Sequence, residues 1–219
     1  MAAYARLFIV ALLAVAVPGA PHAAERMHKT LASPLVDEGT GPDGCTPEVS
    51  GDGAPANWQV RIERLLPDGK SLVETTREAH DNRFPMCIAD APVAANAVVE
   101  LEFVAHAGAM ERVAGIVLRF ADAQDYYVVH ASVLQRAVRF TRVINGTRTQ
   151  LATHDANIAS GRSHWLKVGM VDDTFTVWFD DERMFEVRDS QITAPGRFGI
   201  WSKSDSFTSY GDLFITVQN

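Results

Sequence analysis

The chain has 219 residues, of which 47% are hydrophobic and 21% are charged, as in ordinary globular proteins with a buried core. The formal net charge is -7 and the Lys and Arg residues are scattered, which argues against a nucleic-acid-binding protein, since such proteins carry a basic patch or stripe. This length fits one all-β sandwich domain.

The first 24 residues have the order of regions that is typical of a secretory signal peptide. Arg6 precedes the apolar run LFIVALLAVAV, and the small, helix-breaking run PGAPHAA follows it. The apolar run is shorter than the roughly 20 residues that a membrane-spanning helix needs, so an uncleaved anchor is the less favoured alternative. We therefore expect cleavage between Ala20 and Ala24, a mature chain without a transmembrane span, and a periplasmic or extracellular location.

Residues 25–50 are rich in Gly, Pro, Asp and Thr, and we expect them to be an extended lead-in with little regular structure. In an exported chain the two cysteines, Cys45 and Cys87, lie in an oxidising compartment, which predicts a disulfide between them. The chain-entropy model gives such a long loop about 4 kcal/mol of stabilisation. Two unrelated buried thiols are the alternative; a zinc site is disfavoured because no His lies in register.

Residues 51–219 are predicted to form one domain of short strands. The strongest local signal is Asn145-Gly146 between two β-rich runs, because both central residues of a type I′ hairpin turn need a positive φ. Many short strands with regularly spaced turns indicate an all-β, two-sheet antiparallel β-sandwich. The predicted strands cover residues 57–65, 71–76, 82–88, 97–105, 115–120, 126–131, 133–143, 147–153, 164–171, 174–179, 184–187, 197–202 and 213–217.

The hairpin formed by residues 115–131 carries the most distinctive polar side chains. Period-two alternation places Arg119, one of the two tyrosines Tyr126 and Tyr127, and His130 where a sheet surface could present them. In the late run IWSKSDS, Trp201, Lys203 and Asp205 alternate, so they share one side while that run stays extended.

The runs AGIVLRF, YYVV, HWLKV and GIWSKSDS resemble the 3-keto-disaccharide hydrolase domain family, whose members are often labelled as relatives of family 16 glycoside hydrolases. The resemblance extends from about Gly51 to the C-terminus. It implies a concanavalin A-like (jelly-roll, laminin G-like) sandwich and a hydrolase that acts on keto-sugar glycosides. The E-x-D-x-E triplet of family 16 enzymes is absent, which argues against a retaining glycosidase of that type.

If the hairpin and the late run share one face, their aromatic and charged side chains form a patch suited to sugars, because rings stack on C–H surfaces and charged groups hydrogen-bond hydroxyls. Substrate-binding roles then fall to Tyr126, Tyr127, Trp201 and Asp205. The alternatives are that Arg119 pairs with Asp122 or Asp125, that Tyr126 and Trp201 are half-buried packing, and that Lys203 is solvated. Trp58 and Trp165 fit core positions, and Trp178 fits either an exposed or a buried one.

These observations predict an exported protein that binds or acts on a carbohydrate ligand. A 3-keto group acidifies the neighbouring C–H, so an enzyme would need a general base, for which His130 is the first candidate, and Arg119 or Lys203 to stabilise the oxyanion. The alternative is a non-catalytic binding or interaction module of the cell envelope. No cofactor is expected beyond a structural calcium, which related sandwiches often carry and for which Asp212 is a candidate ligand. The sequence sets neither the sugar nor the oligomeric state.

Overall fold

The computed structural model describes residues 25–29 and 36–218, and within them the chain is all-β. The predicted signal peptide, residues 1–24, lies outside the described residues. The described residues contain no helix that is long and apolar enough to cross a membrane. The strands are β1 (Glu25–Lys29), β2 (Cys45–Gly51), β3 (Trp58–Ile62), β4 (Lys70–Glu74), β5 (Arg83–Ala89), β6 (Ala97–Ala107), β7 (Val113–Asp122), β8 (Asp125–Ser132), β9 (Ala137–Ile144), β10 (Thr147–Asp155), β11 (Ser163–Val171), β12 (Thr174–Phe179), β13 (Glu182–Arg188), β14 (Arg197–Trp201) and β15 (Phe207–Val217).

The strands form two antiparallel sheets, as the sequence predicts. The first sheet has the order β13-β12-β11-β6-β15-β4-β3, with β1 paired to the second half of β15. The second sheet has the order β10-β9-β8-β7-β14-β5-β2. Consecutive strands pair as hairpins in several places, and the long-range pairs β11–β6, β14–β7 and β14–β5 join the hairpins. The result is a two-layer jelly-roll sandwich.

The core between the sheets follows the period-two alternation of the strands. In β12, Phe175 and Val177 are buried between the sheets, so Trp178 faces outward. Trp58 lies in this core, as predicted. The prediction that Trp165 is a core residue is wrong: it is 37% exposed, because its neighbours in β11 occupy the inward positions.

Two local predictions are confirmed and one is corrected. Cys45 and Cys87 form a disulfide that joins β2 to β5, and Asn145 and Gly146 have φ of 49° and 73°, as a type I′ turn requires. Residues 25–50, expected to have little regular structure, instead contribute two strands. β2 pairs with β5 along its whole length, because strand pairing satisfies the backbone groups that the disulfide holds in place.

The outer face of the second sheet carries a second apolar cluster. It comprises Phe84, Met86, Ile88, Val113, Val117, Phe120, Tyr126, Val128, Val143 and Trp201, all of them buried. An outer sheet face buries such residues only where long side chains cover them. This face, called the pocket face below, holds the candidate site.

Candidate functional site

A pocket of about 360 Å³ opens on the pocket face. Five strands of the second sheet and the loops at one end of it supply its walls, so its parts are far apart in the sequence. The lining residues are Asp81, Asn82, Phe84, Glu111, His130, Gln135, Arg139, Thr141, Arg148, Gln150, Trp201 and Lys203.

The floor of the pocket is a row of paired residues that crosses four strands. Trp201 on β14 pairs with Gly115 on β7, Gly115 with His130 on β8, and His130 with Arg139 on β9. Gly115 leaves room for its neighbours, because a Cβ there would lie 3.0 Å from both His130 Cβ and Trp201 Cε3. The Trp201 and His130 rings therefore meet over Gly115, with ring centroids 4.9 Å apart.

A cation covers the aromatic part of the floor. The Arg148 guanidinium carbon lies 3.9 Å from the centroid of the Phe84 ring and 5.6 Å from that of Trp201, and its Nη1 donates a hydrogen bond of 2.9 Å to the Tyr126 hydroxyl. Phe84 and Trp201 stack with ring centroids 5.7 Å apart. Trp201 is consequently only 1% exposed and lines the pocket from below.

Lys203 also lines the pocket, between two carboxylates. Its Nζ lies 2.8 Å from Asp81 Oδ1 and 2.8 Å from Glu111 Oε1. Burial alone would lower the pKa of the Lys203 ammonium, but the hydrogen bonds to the two carboxylates raise it. Lys203 is therefore charged at neutral pH and neutralised by its own partners.

His130 is held in its neutral form. Burial, followed by the nearby cations Arg148, Arg139 and Lys203, lowers the pKa of its imidazole to about 3. Its Nδ1 is buried and has no hydrogen-bond partner among the described residues. At pH 7 the ring is thus an uncharged donor and acceptor, and a weak base.

The structure brings three of the predicted site residues together. His130, Trp201 and Lys203 all line the pocket, and Tyr126 lies beneath it in the apolar cluster.

Arg119 does not reach the pocket, which corrects its predicted role. A register shift between Leu118 and Asp122, with a φ of 46° at Arg119, reverses the alternation of β7. The guanidinium, 1% exposed, donates hydrogen bonds to the backbone carbonyls of Ala95, Ile192 and Asp172. Burial lowers the pKa of Arg119. Its contacts fasten loops to the sandwich.

Tyr127 and Asp205 also lie away from the pocket. Tyr127 packs between the sheets and donates a hydrogen bond of 2.5 Å to Asp189 Oδ1; burial and this bond raise its pKa to about 12. Asp205 accepts hydrogen bonds from the backbone N–H groups of the loop at 109–111. The extended run assumed for Trp201, Lys203 and Asp205 ends at Trp201, because residue 204 adopts a positive φ.

Sequence reasoning missed Arg139 and Arg148, the two half-buried arginines of the pocket. A signal was present for both. Arg139 alternates with buried residues of β9, and the Asn145-Gly146 turn fixes the register that places Arg148 opposite Val143 on the same face. Phe84, Asp81 and Glu111 reach the pocket through long-range pairing, for which the sequence carries no local signal.

The described residues contain no group of three or more His, Cys, Asp or Glu side chains that could hold a metal ion. Asp212 borders a small depression together with Asp68 and Glu102, and burial raises the pKa of the Glu102 carboxyl. The calcium role of Asp212 stays a prediction.

Another depression lies on the outer face of the first sheet. It measures about 290 Å³ and is lined by Glu100, Trp165, Lys167, Trp178, Asp181 and Phe214. Lys167 pairs with Glu100 there at 3.1 Å. This surface has aromatic side chains but lacks the arginines of the pocket.

Comparison with known proteins gives the class of fold. No protein-family model and no curated protein sequence matches the chain. Among solved structures, the chain is similar to the carbohydrate-binding module CBM66 from Bacillus subtilis, with a TM-score of 0.61 and 18% identity over 77% of this chain and 92% of that one. The chain is also similar to a Bacillus subtilis protein of unknown function with a galectin-like fold, with a TM-score of 0.60 and 11% identity over 91% of this chain and 99% of that one. For a Bacillus licheniformis beta-glucanase the TM-score is 0.52 and the identity is 7%, over 89% of this chain and 98% of that one.

These similarities define the fold as a concanavalin A-like jelly-roll sandwich of the kind found in carbohydrate-binding modules, galectin-like proteins and glucanases. At such identities they establish the fold alone. They do not confirm the finer resemblance to the 3-keto-disaccharide hydrolase domain family.

Proposed function

We propose that the protein binds carbohydrate in the pocket on the pocket face. The observation that carries this proposal is the convergence of hydrogen-bonding side chains from three strands and the adjoining loops on one cavity: His130, Arg139 and Arg148 from the strands, and Lys203 with its two carboxylates from the loops. The volume of about 360 Å³ lies within the range of small-ligand sites. The names of the similar structures, a carbohydrate-binding module and a glucanase among them, support the same ligand class.

The structure favours polar contacts over ring stacking for holding the sugar. Because Arg148 covers Phe84 and Trp201, neither aromatic face is open to a ligand. Arginine N–H groups would donate to sugar oxygens, and the carboxylates of Asp81 and Glu111 would accept from hydroxyls. Trp201 then acts as the floor that positions His130 and Arg148.

We further propose that the protein is exported and works in the periplasm or outside the cell. The Cys45–Cys87 disulfide supports this location, because such bonds persist in oxidising compartments. The signal-peptide pattern of residues 1–24 supports it independently.

A second candidate function is cleavage of 3-keto-glycosides, and His130 is the observation that favours it. His130 lines the pocket, where its imidazole could take the proton from C2, next to the keto group, with Lys203 near the enolate oxygen. The C1–O bond would then break, the departing oxygen would take a proton, and water would add to the resulting double bond. A pKa of about 3 makes His130 a weak base, so binding without turnover is the function we favour.

Glycan-array screening of the mature protein, followed by calorimetry, tests the binding function. Gln150→Ala removes an exposed hydrogen-bonding group of the pocket, and Gln59→Ala makes the same change on β3 of the other sheet. We expect weaker binding only for Gln150→Ala. If no glycan binds, or if both variants bind like wild type, the proposed site is wrong. Release of product from a 3-keto-glycoside by wild type, lost in His130→Gln, would establish the enzyme instead.

A further inference from the structure

The charges of the pocket are unevenly paired. Three cations and two carboxylates line it, and both carboxylates contact Lys203. Arg139 and Arg148 are left without an acidic partner: among the described residues, no carboxylate lies within 4 Å of either guanidinium. In a chain with 27 acidic residues and a net charge of -7, two unpaired arginines that line one pocket are an excess of positive charge at one place.

Several nitrogen atoms of the residues that line the pocket have no hydrogen-bond partner. Arg139 Nε and His130 Nδ1 are buried without hydrogen-bond partners in the described part of the chain, and so is the Nε1 donor of Trp201, whose side chain is 1% exposed. Arg148 makes one hydrogen bond, to the Tyr126 hydroxyl. Because the unpartnered nitrogens are closed off from the pocket, a ligand there would meet instead the Nη groups of Arg139 and Arg148, and the Arg139 side chain makes no hydrogen bond within the described residues.

We propose, building on the carbohydrate-binding function above, that the glycan is acidic and that the carboxylate of a uronic acid residue binds between Arg139 and Arg148. The planar guanidinium fork offers two parallel N–H groups that match a carboxylate. The guanidinium is also more weakly hydrated than an ammonium, so it loses less on entering a partly buried site. His130, which pairs with Arg139 across β8 and β9, lies beside this position as a neutral side chain.

A uronate carries its carboxylate directly on the ring, so binding the carboxylate brings the ring hydroxyls against the pocket wall. Gln150 lines that wall and can hydrogen-bond them, as can Gln135, which also donates to Glu111 Oε1 at 3.4 Å. Both carboxylates contact the Lys203 ammonium, which neutralises part of the charge that would repel an acidic sugar.

Calorimetry with matched sugars tests this assignment. The probes are oligogalacturonate, oligomannuronate and a glucuronate-containing oligosaccharide, each beside its carboxyl-reduced neutral form, with a sulfated neutral oligosaccharide as a further arm. We expect at least one acidic probe to bind about 10- to 100-fold more tightly than its reduced form, the range of a hydrogen bond to a charged group. Arg139→Gln and Arg148→Gln should remove this preference. Arg183→Gln, at an arginine that is 58% exposed on β13, is the matched control and should keep it.

The possible failures are distinguishable. Equal binding of acidic and reduced forms would overturn the acidic-sugar assignment and leave carbohydrate binding standing. If the sulfated probe binds and none of the uronate probes does, the anion that the arginines bind is a sulfate ester and the carboxylate assignment is wrong. Binding of no sugar would overturn both proposals. Because Arg148 also packs on Phe84, Arg139→Lys provides a variant that keeps the charge and the fold; it should lose most of the preference, since it lacks the fork.

Discussion

His130 should make the stability of the protein fall at acid pH, and replacing it should remove that effect. The pKa of the folded-state imidazole is about 3, well below the ordinary value of 6.5 that applies to the unfolded chain. Between these values the unfolded chain holds a proton that the folded chain does not. The free energy of unfolding contributed by this neutral ring is therefore present above pH 6.5 and is lost as the pH falls towards 3.

The size of the effect is set by the one proton that His130 takes up when the chain unfolds. One proton taken up on unfolding changes the free energy of unfolding by at most about 1.4 kcal/mol per pH unit. Over this pH window wild type should lose a few kcal/mol more than His130→Gln. The other histidines contribute equally to both proteins and cancel in the difference.

Denaturant titrations at a series of pH values from 7 to 3.5 measure the two slopes. His154→Gln is the matched control, because it makes the same change at an exposed histidine. We expect the control to follow wild type and His130→Gln to show the flatter profile. Parallel profiles for wild type and His130→Gln would show that the buried, neutral state of His130 described above is incorrect.

Three further predictions concern the scaffold. Reduction of the Cys45–Cys87 disulfide, whose cysteines are 42 residues apart, should lower the free energy of unfolding by about 4 kcal/mol, and thiol labelling of the denatured, unreduced protein should find no free thiol; labelled thiols would exclude the bond. Glu74→Gln should cost about 3 kcal/mol in denaturant titrations, because fully buried Arg83 keeps only a 3.6 Å contact with partly exposed Glu78, and a loss under 1 kcal/mol would refute this. Gly146→Ala should cost about 1–2 kcal/mol at its φ of 73°; an unchanged melting curve would contradict the type I′ turn.

The burial of Trp201 changes what its replacement can report. An exposed ring could be removed at little cost to stability, but a ring that is 1% exposed and stacked on Phe84 should cost about 3–5 kcal/mol when replaced by Ala. Trp201→Ala therefore does not separate binding from folding, which is why the binding tests above use pocket residues that are exposed or half-buried.

The fold could be predicted from the sequence because its signals are local. Alternation along each strand identified the inward faces, and Asn145-Gly146 fixed one hairpin register without any knowledge of the partner sheet. Trp165 shows the limit of residue type as a guide: its size suggested the core, but its position in the alternation of β11 placed it outside.

The site was predictable only in part because it depends on departures from ideal strands. His130 lies on a regular segment of β8 and was placed correctly on the pocket face. Arg119 follows a bulge that reverses its side, and Asp205 follows the end of β14, where a positive φ turns the chain. A one-residue irregularity inverts every later assignment, and no feature of the local sequence marks either irregularity.

The most direct test of the central claim, that glycan binds on the pocket face, is amide chemical-shift mapping of the isotope-labelled protein during titration with a glycan identified on the array. The account predicts shifts that cluster in β8, β9, β10 and β14, around His130, Arg139 and Arg148. Shifts that cluster instead around Trp165 and Trp178 on the outer face of the first sheet would contradict it.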